Sequence, residues 1–344
     1  MISLRSWPRW MAWLAVCLPL WANAFPAQEY SVRRWNAEQG LRQNRVSALC
    51  QTPDGYMWFG SWFGLVRFDG VRTTVFDHAS NHEIVNDTVV GMVVDPATGT
   101  LWIGTDGGVV RYKDYQFAEI GGDAETPIGT GAMWVTGADT LWCQSHDLRS
   151  SRPLVCLRHG VPTVYSFAEI GQGIVWIADK GLGEAEILSE RGFFRLTYSR
   201  PNPTVTREDV RLPPGRIKKV VKDSKGRLWF GTDQGLFVSR SGLLDVRTPP
   251  ERVGGSVIGE NDIITLITPS HDGSMWFYVK NRGLFQWSEG QVYGLTGEAS
   301  LANVQVEGLL EDRDNSLWVT TRTGVMQLRP KHVTVYSAAD GLGH

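Results

Sequence analysis

The stretch DGYMWFGSWFGLVRFDG, residues 54–70, decides the fold, because close copies of it stand elsewhere in the chain. One copy is GTLWIGTDGGVVRY at residues 99–112, and another is DSKGRLWFGTDQGLF at residues 223–237. Each copy has a glycine three residues before a tryptophan and a Gly-apolar pair six residues after it. Because glycine accepts the positive φ of a tight turn, each copy predicts a turn, a tryptophan strand and a second turn.

The tryptophan recurs along the whole chain at intervals of 44, 40, 34, 53, 47 and 42 residues. The anchors are Trp58, Trp102, Trp142, Trp176, Trp229, Trp276 and Trp318. Apolar runs stand before and after each anchor, so every unit predicts four short strands joined by turns. A four-stranded unit every ~40 to 45 residues is the period of a propeller blade. The sequence therefore predicts an all-β, seven-bladed β-propeller of four-stranded antiparallel blades.

The repeated tryptophan is predicted to be core and not a catalytic group. A fold needs one packing contact in every blade, whereas a catalyst does not need seven copies of one chemistry. We expect each indole to lie on the second strand of its blade and to pack against the neighbouring blade. The third and fourth units depart from the pattern. In the fourth unit the Gly-apolar pair is Gly181-Leu182, five residues after Trp176.

Residues 1–24 have the composition of an export signal. Arg5 and Arg9 are followed by the apolar run WMAWLAVCLPLWA, and Ala22-Asn23-Ala24 offers small residues for cleavage. A run of about 13 apolar residues is shorter than the roughly 20 that span a membrane, which favours cleavage over a retained anchor. The domain prediction is a signal peptide at 1–24, the propeller at 25–336 and the start of a truncated further repeat at 337–344. The predicted location is the periplasm.

Charge and cysteine content limit the partners and cofactors. The 34 basic and 36 acidic residues are mixed along the chain, which argues against nucleic acid as a partner. Cys50, Cys143 and Cys156 follow the signal. Cys143 and Cys156 could form a disulfide if their segments are neighbouring strands, and the alternative is three small buried apolar side chains. No zinc-ligand spacing is present, so neither a metal nor another cofactor is predicted.

The repeats resemble those of the two-component regulator propeller family, and so does WNAEQGLRQNRVSALCQTPDG at residues 35–55. The resemblance covers essentially the whole chain after the signal. It implies an exported sensory module, the input part of a bacterial signal-transduction receptor, which in relatives precedes a transmembrane helix and a histidine kinase or diguanylate cyclase. The chain then reads as truncated after one propeller. A second propeller or a membrane-bound sensor is the implied protein partner.

The ligand of such a module is expected on one face of the ring. In a propeller, the loops that lead into each first strand and the turns between second and third strands share one face. Here these segments carry amides, arginines, carboxylates and two aromatic side chains, which suit a small polar solute or a glycan. The predicted binding residues are Asn44, Arg45, Trp62, Phe63, Asp87, Asp106, Asp233, Gln234, Asn261, Asn281, Arg282 and Arg322.

Other roles for the same face stay open. Asparagine often caps turns, which is the alternative role of Asn44, Asn86, Asn261 and Asn303. The sequence predicts no enzyme, but a propeller lyase that uses Glu83, His146 or His271 at the funnel mouth is an alternative. A protein-interaction platform would share every feature of the repeats.

The two ends of the chain compete for one place in the last blade. Residues 29–35, EYSVRRW, and residues 332–337, HVTVYS, both read as an outermost strand. A propeller leaves exposed edges unless its first and last blades are joined. We expect residues 29–35 to complete blade seven and residues 332–337 to remain outside it.

Overall fold

The computed structural model describes residues 29–120, 132–144, 154–171, 173–199, 202–240 and 248–331. The predicted signal peptide and residues 332–344 lie outside these ranges. Within them the chain forms 28 strands and two short 3-10 turns, Ala37–Gln39 and Gly297–Ser300. None of the described segments is a helix long and apolar enough to cross a membrane.

The strands follow one another in blade order. The first strand, β1, is Tyr30–Trp35. Blade one contains β2 to β5, at Ala48–Gln51, Met57–Ser61, Gly64–Phe68 and Thr73–Phe76. Blade two contains β6 to β9, at Val89–Val94, Leu101–Thr105, Gly108–Lys113 and Gln116–Ile120. Blade three contains β10 to β13, at Met133–Gly137, Thr140–Gln144, Leu154–Arg158 and Val161–Tyr165.

The second half of the ring repeats this arrangement. Blade four contains β14 to β17, at Ile174–Gly181, Glu184–Ser189, Gly192–Thr197 and Thr204–Glu208. Blade five contains β18 to β21, at Ile217–Lys222, Leu228–Thr232, Gly235–Ser239 and Glu251–Val253. Blade six contains β22 to β25, at Ile264–Pro269, Met275–Val279, Gly283–Ser288 and Gln291–Gly294. Blade seven contains β26 to β28, at Val306–Glu311, Leu317–Thr321 and Gly324–Pro330.

The seven four-stranded antiparallel sheets confirm the predicted fold class. The first strands β2, β6, β10, β14, β18, β22 and β26 contact one another in that order, and β26 contacts β2. They therefore form the innermost ring around the axis, and the fourth strands form the rim.

The ring is closed by the N-terminal strand. Sheet seven has the order β1-β28-β27-β26, and β1 runs antiparallel to β28 from the pair Tyr30↔Pro330 to the pair Trp35↔Val325. The prediction that residues 29–35 complete blade seven is confirmed. The expectation for residues 332–337 concerns residues outside the described ranges.

The tryptophans join each blade to the next one. Trp58 of blade one is buried with Leu101 and Ile103 of blade two. Trp318 of blade seven is buried with Met57 and Phe59 of blade one, so the same contact closes the ring. The predicted packing role is confirmed for six anchors on second strands, namely Trp58, Trp102, Trp142, Trp229, Trp276 and Trp318.

Several indoles also tie down the turn that precedes their strand. The Trp229 Nε1–H donates to Asp223 Oδ2 at 2.8 Å, and the Trp318 Nε1–H donates to Asp312 Oδ2 at 2.6 Å. Burial alone would raise the pKa of Asp223, but hydrogen bonds from Trp229 and Arg227 outweigh it and hold that pKa below its usual range. The buried carboxylate is therefore a fixed acceptor for the indole.

In blade four the predicted tryptophan anchor, Trp176, is not on the second strand. Trp176 lies on the first strand, β14, where it pairs with Leu188 and packs half-buried at the interface with blade five. The place of the tryptophan on the second strand is taken by Glu186, three residues before the strand ends at Ser189. Gly181 is consequently the last residue of the first strand, and Leu182 lies in the turn between the first and second strands. The second-strand position predicted for Trp176 was wrong because it relied on residue type over spacing, whereas the predicted place at a blade interface is confirmed.

The three cysteines of the described ranges, Cys50, Cys143 and Cys156, are free and buried. Trp142 pairs with Cys156 and Cys143 pairs with Val155, so the two cysteines are one residue out of register on neighbouring strands. Successive residues of a strand point to opposite faces, and the two thiols accordingly belong to different core clusters. The disulfide does not form, and the buried-hydrophobe alternative is correct. Burial raises the pKa of Cys143 to about 12.

Truncation of a second-strand indole should open a cavity between two blades. We expect Trp229→Ala to lower the free energy of unfolding by about 3 to 5 kcal/mol, because the side chain is fully buried and the sheets cannot move together to fill the cavity. Urea denaturation measures the change. Trp176→Ala is the matched control and should cost less, since that indole is only half-buried. Equal midpoints for Trp229→Ala and the parent protein would contradict the packing role.

Removal of the closing strand should cost more than removal of the C-terminal segment. Deletion of residues 25–36 removes the hydrogen-bond ladder between β1 and β28 together with its buried face, so we expect a loss of several kcal/mol. Deletion of residues 332–344 should change the urea midpoint little. The reverse ranking of the two truncations would show that the chain closes on its C-terminal segment.

Candidate functional site

The loop face consists of the loops that lead into the first strands and the turns between second and third strands. A hydroxyl at the end of the second strand shapes these turns. In blade five the Thr232 hydroxyl donates to Gly235 O and accepts from Gln234 N, both at 3.0 Å. Ser61 makes the same two bonds in blade one, to Gly64 O and from Phe63 N, both at 3.1 Å. The two residues between are therefore held at the tip of each turn.

In blade one the two tip residues are aromatic. The side chains of Trp62 and Phe63 are 50% and 55% exposed. Gly64 behind them has φ +112°, and a Cβ there would lie 2.7 Å from the Phe76 carbonyl oxygen, so no other residue fits that close approach. The corresponding tips of blades two and five are Asp106-Gly107 and Asp233-Gln234. The fold therefore does not require aromatic residues at this place.

Trp62 is one of four side chains that meet across the boundary between blades seven and one. This seam cluster consists of Arg45, Trp62, Glu307 and Arg322. The Glu307 carboxylate is 3.1 Å from Arg45 Nε and 3.5 Å from Arg322 Nε. The Arg45 guanidinium lies 5.0 Å from the centre of the Trp62 ring, a cation–π contact.

The seam cluster has a net positive charge, because one carboxylate faces two guanidinium groups. Glu307 is the extra residue of a β-bulge between Val306 and Gly308 on β26, and its side chain is only 13% exposed. Such bulges re-aim a side chain at the end of a strand. The bulge thus places a fixed acceptor under two more exposed arginines, whose remaining N–H groups can bind a polar ligand.

Most of the other predicted residues hold their own loops. Asp233 accepts from Arg216 N at 2.7 Å, and Asp87 accepts from His78 N at 2.7 Å. Arg282 pairs with the Asp262 carboxylate and donates to Val257 O at 3.1 Å. These side chains fix the height and shape of the loop face and are less available to a ligand.

The asparagines are largely turn residues. Asn44 accepts from Ala37 N at 2.8 Å, and Asn86 accepts from Thr88 N at 2.8 Å, as expected for the capping alternative. Asn281 and Asn303 both adopt φ +64°, a conformation that asparagine tolerates. Four predicted polar residues keep side chains without a hydrogen bond to the described parts of the chain, namely Asp106, Gln234, Asn261 and Asn281.

Sequence reasoning missed two parts of the loop face. It did not include Glu307, whose importance depends on a bulge and on two distant arginines. It also missed the turn of blade four, Glu190-Arg191, where Glu190 is 3.3 Å from Arg216 of the next loop. The second omission had a signal in the sequence. Glu186 lies 44 residues after Trp142 and 43 before Trp229, an even spacing that Trp176 breaks.

The residues of the enzyme alternative are not brought together. Glu83 lies in the loop that leads into β6, on the loop face, whereas His271 lies in the turn between β22 and β23, on the opposite face. There the His271 imidazole is 3.2 Å from Glu311. His146 lies outside the described residues. No group of three His, Cys, Asp or Glu suited to a metal occurs in the described ranges.

Comparison with known proteins confirms the family resemblance. The profile described as two component regulator propeller matches residues 40–63 and 211–234. In blades one and five these ranges run from the loop before the first strand to the tip of the turn between the second and third strands. A curated relative, histidine kinase P4 of Formosa agariphila, is 22% identical over an alignment of 303 residues that covers 78% of this chain and 21% of the relative.

Solved structures share the fold over most of the chain. The extracellular domain assigned to a hybrid two-component system of B. thetaiotaomicron is 20% identical with a TM-score of 0.66, over 88% of this chain and 42% of that domain. Virginiamycin B lyase of Staphylococcus aureus is 12% identical with a TM-score of 0.61, over 87% of this chain and 99% of the lyase. The chain thus spans about two fifths of the two-component structure and about a fifth of the curated kinase.

Together these findings show a propeller domain related to the extracellular sensory domains of two-component systems. Their identities are low, so the likeness of the structures concerns the fold and leaves the ligand to be argued from the site.

Residues placed for binding should contribute little to stability. We expect Arg45→Ala and Trp62→Ala each to lower the free energy of unfolding by less than about 1 kcal/mol. Both side chains are exposed to a large extent, and the ion pair between Arg45 and Glu307 is screened by solvent. Urea denaturation of the two variants beside Trp229→Ala provides the scale. A loss as large as that of Trp229→Ala would assign the seam cluster to the scaffold.

Proposed function

We propose that this protein is an exported sensory propeller, the input part of a bacterial signal-transduction receptor, which binds a small polar solute or an oligosaccharide on its loop face. The observation that carries this proposal is the pair of exposed aromatic side chains at one turn, Trp62 within the seam cluster and Phe63 next to it. The relationship to extracellular domains of two-component systems supports the export and the signalling context.

The chemistry of the seam suits a polar organic ligand. Aromatic faces stack on the apolar faces of sugar rings, and arginine N–H groups bind hydroxyl and carboxylate oxygens with defined geometry. The two aromatics and the two arginines come from loops of two neighbouring blades, so a ligand would be held from more than one side. The predicted residues Asp106, Gln234 and Asn261 lie further around the same face and are available for further hydrogen bonds.

The site supports binding without catalysis. Glu83 and His271 lie on opposite faces, and Glu307 is engaged by two arginines. We expect the signal to pass to a partner, a second propeller or a membrane-bound sensor, in the way that the family resemblance implies. A lyase at the funnel mouth is the alternative function, since a solved lyase has the same fold.

The decisive experiment is a thermal-shift screen against glycans and small polar metabolites. A ligand that binds only the folded state raises its stability, by about 2.7 kcal/mol at one hundred times the Kd. We expect at least one compound to raise the Tm of the parent protein, and Trp62→Ala and Phe63→Ala to lose that rise.

The matched control is Tyr115→Ala. Tyr115 is 69% exposed in the turn between β8 and β9, on the opposite face, so this variant should respond to the ligand as the parent does. A screen in which no response depends on Trp62 or Phe63 would contradict the proposal and favour the protein-interaction alternative. Consumption of a ligand, followed by chromatography, would favour the lyase.

A further inference from the structure

Two lysines of blade five lie at the axis of the ring. Lys218 and Lys219 are the second and third residues of β18, next to the loop face, and both side chains are exposed. The strand pairs only with β19, and the two faces of its blade pack on blades four and six. The free edge of β18 therefore borders the axial channel, and the exposed parts of the two lysines face this channel or its mouth.

Lys219 is the one charged residue at its level of the channel. Its cross-strand partner is Gly231, and the residues at the same level of the other six blades are Ala48, Gly91, Ala132, Trp176, Leu266 and Gly308. None of these six is charged. On the two neighbouring blades the side chains at this level are the apolar Trp176 and Leu266.

The two lysines have no counterion in the described parts of the chain, where no carboxylate lies within 4.0 Å of either ammonium group. Glu307 stands at the bulge of blade seven that is equivalent to the bulge at Lys218, and its carboxylate is already paired with Arg45 and Arg322. Lys219 is accessible to water, yet desolvation lowers the pKa of its ammonium group below the usual range. Access to water together with partial desolvation is expected for an ammonium group at the wall of a narrow channel.

A desolvated cation without a counterion is unfavourable, and an apolar residue at the same place would remove the cost. The other six blades show that the fold accepts an uncharged residue there. A charge that packing does not require, kept in a concave site, indicates a ligand of opposite sign.

We infer that the end of the axial channel next to the loop face is a binding site for a small oxyanion, a carboxylate, phosphate or sulfate group. Lys219 is the principal contact and Lys218 a second one at the bulge nearer the mouth. The partial desolvation of Lys219 strengthens the ion contact compared with one in bulk water. This site is separate from the seam cluster and does not depend on which ligand the seam binds.

The first test compares the thermal response of three proteins to simple anions. Sodium phosphate, sulfate and acetate are each titrated against sodium chloride at constant ionic strength, with the parent protein, Lys219→Met and Lys222→Met. Lys222 is an exposed lysine at the other end of the same strand and is the matched control. The anion-specific rise in Tm is expected in the parent and in Lys222→Met and should be lost in Lys219→Met. The three anions distinguish carboxylate from phosphate or sulfate specificity.

A second measurement stays informative if a variant folds poorly. Lysines of the parent protein are dimethylated with ¹³C-formaldehyde, and the Lys219 signal is followed by NMR against pH. We expect its pKa to lie below that of Lys222 in chloride and to rise when the preferred anion is added. An equal Tm response in the parent and Lys219→Met, or a Lys219 pKa that no anion changes, would overturn the inference. Either result leaves the proposal for Trp62 and Phe63 untouched.

Discussion

The structure depends on one contact, the indole of a second strand packed between its own blade and the next one. Each core cluster contains residues of two successive blades, so no blade buries its apolar face alone. Trp318 makes this contact with blade one and thereby joins the last sheet to the first. The pairing of β1 with β28 adds a hydrogen-bonded closure at the same boundary. Stability and closure are thus properties of the whole ring.

The ring separates the scaffold from the site. Tight turns and buried indoles fix where the loops of one face begin and end, and the tips of those loops can then vary at small cost. Trp62 and Phe63 replace polar residues found in the same turn of other blades. The seam cluster lies where the chain closes, and its arginines come from segments that are distant in sequence. The site therefore exists only in the closed ring.

Fold and function are only loosely linked in this architecture. The extracellular domain of a two-component system and virginiamycin B lyase both superpose on most of the chain. What differs between such proteins is the set of side chains at the loop face and in the channel. In this chain, that set includes exposed aromatics, paired arginines and the exposed lysines of β18, and Glu83 and His271 lie on opposite faces.

The sequence by itself determined the repeat, and with it the seven blades, the six buried indoles and the turns. These features are local, since glycine at a tight turn and tryptophan on the following strand are set within a few residues. The sequence also contained the register of blade four, in the even spacing through Glu186, which the residue type of Trp176 concealed. Only the tertiary structure decided that Cys143 and Cys156 face different blades, that Glu307 lies under Arg45 and Arg322, and that Lys219 is isolated at the axis. These facts depend on strand register, on a bulge and on ring closure, which bring together residues such as Arg45 and Glu307, 262 positions apart, and leave no periodic trace in the sequence.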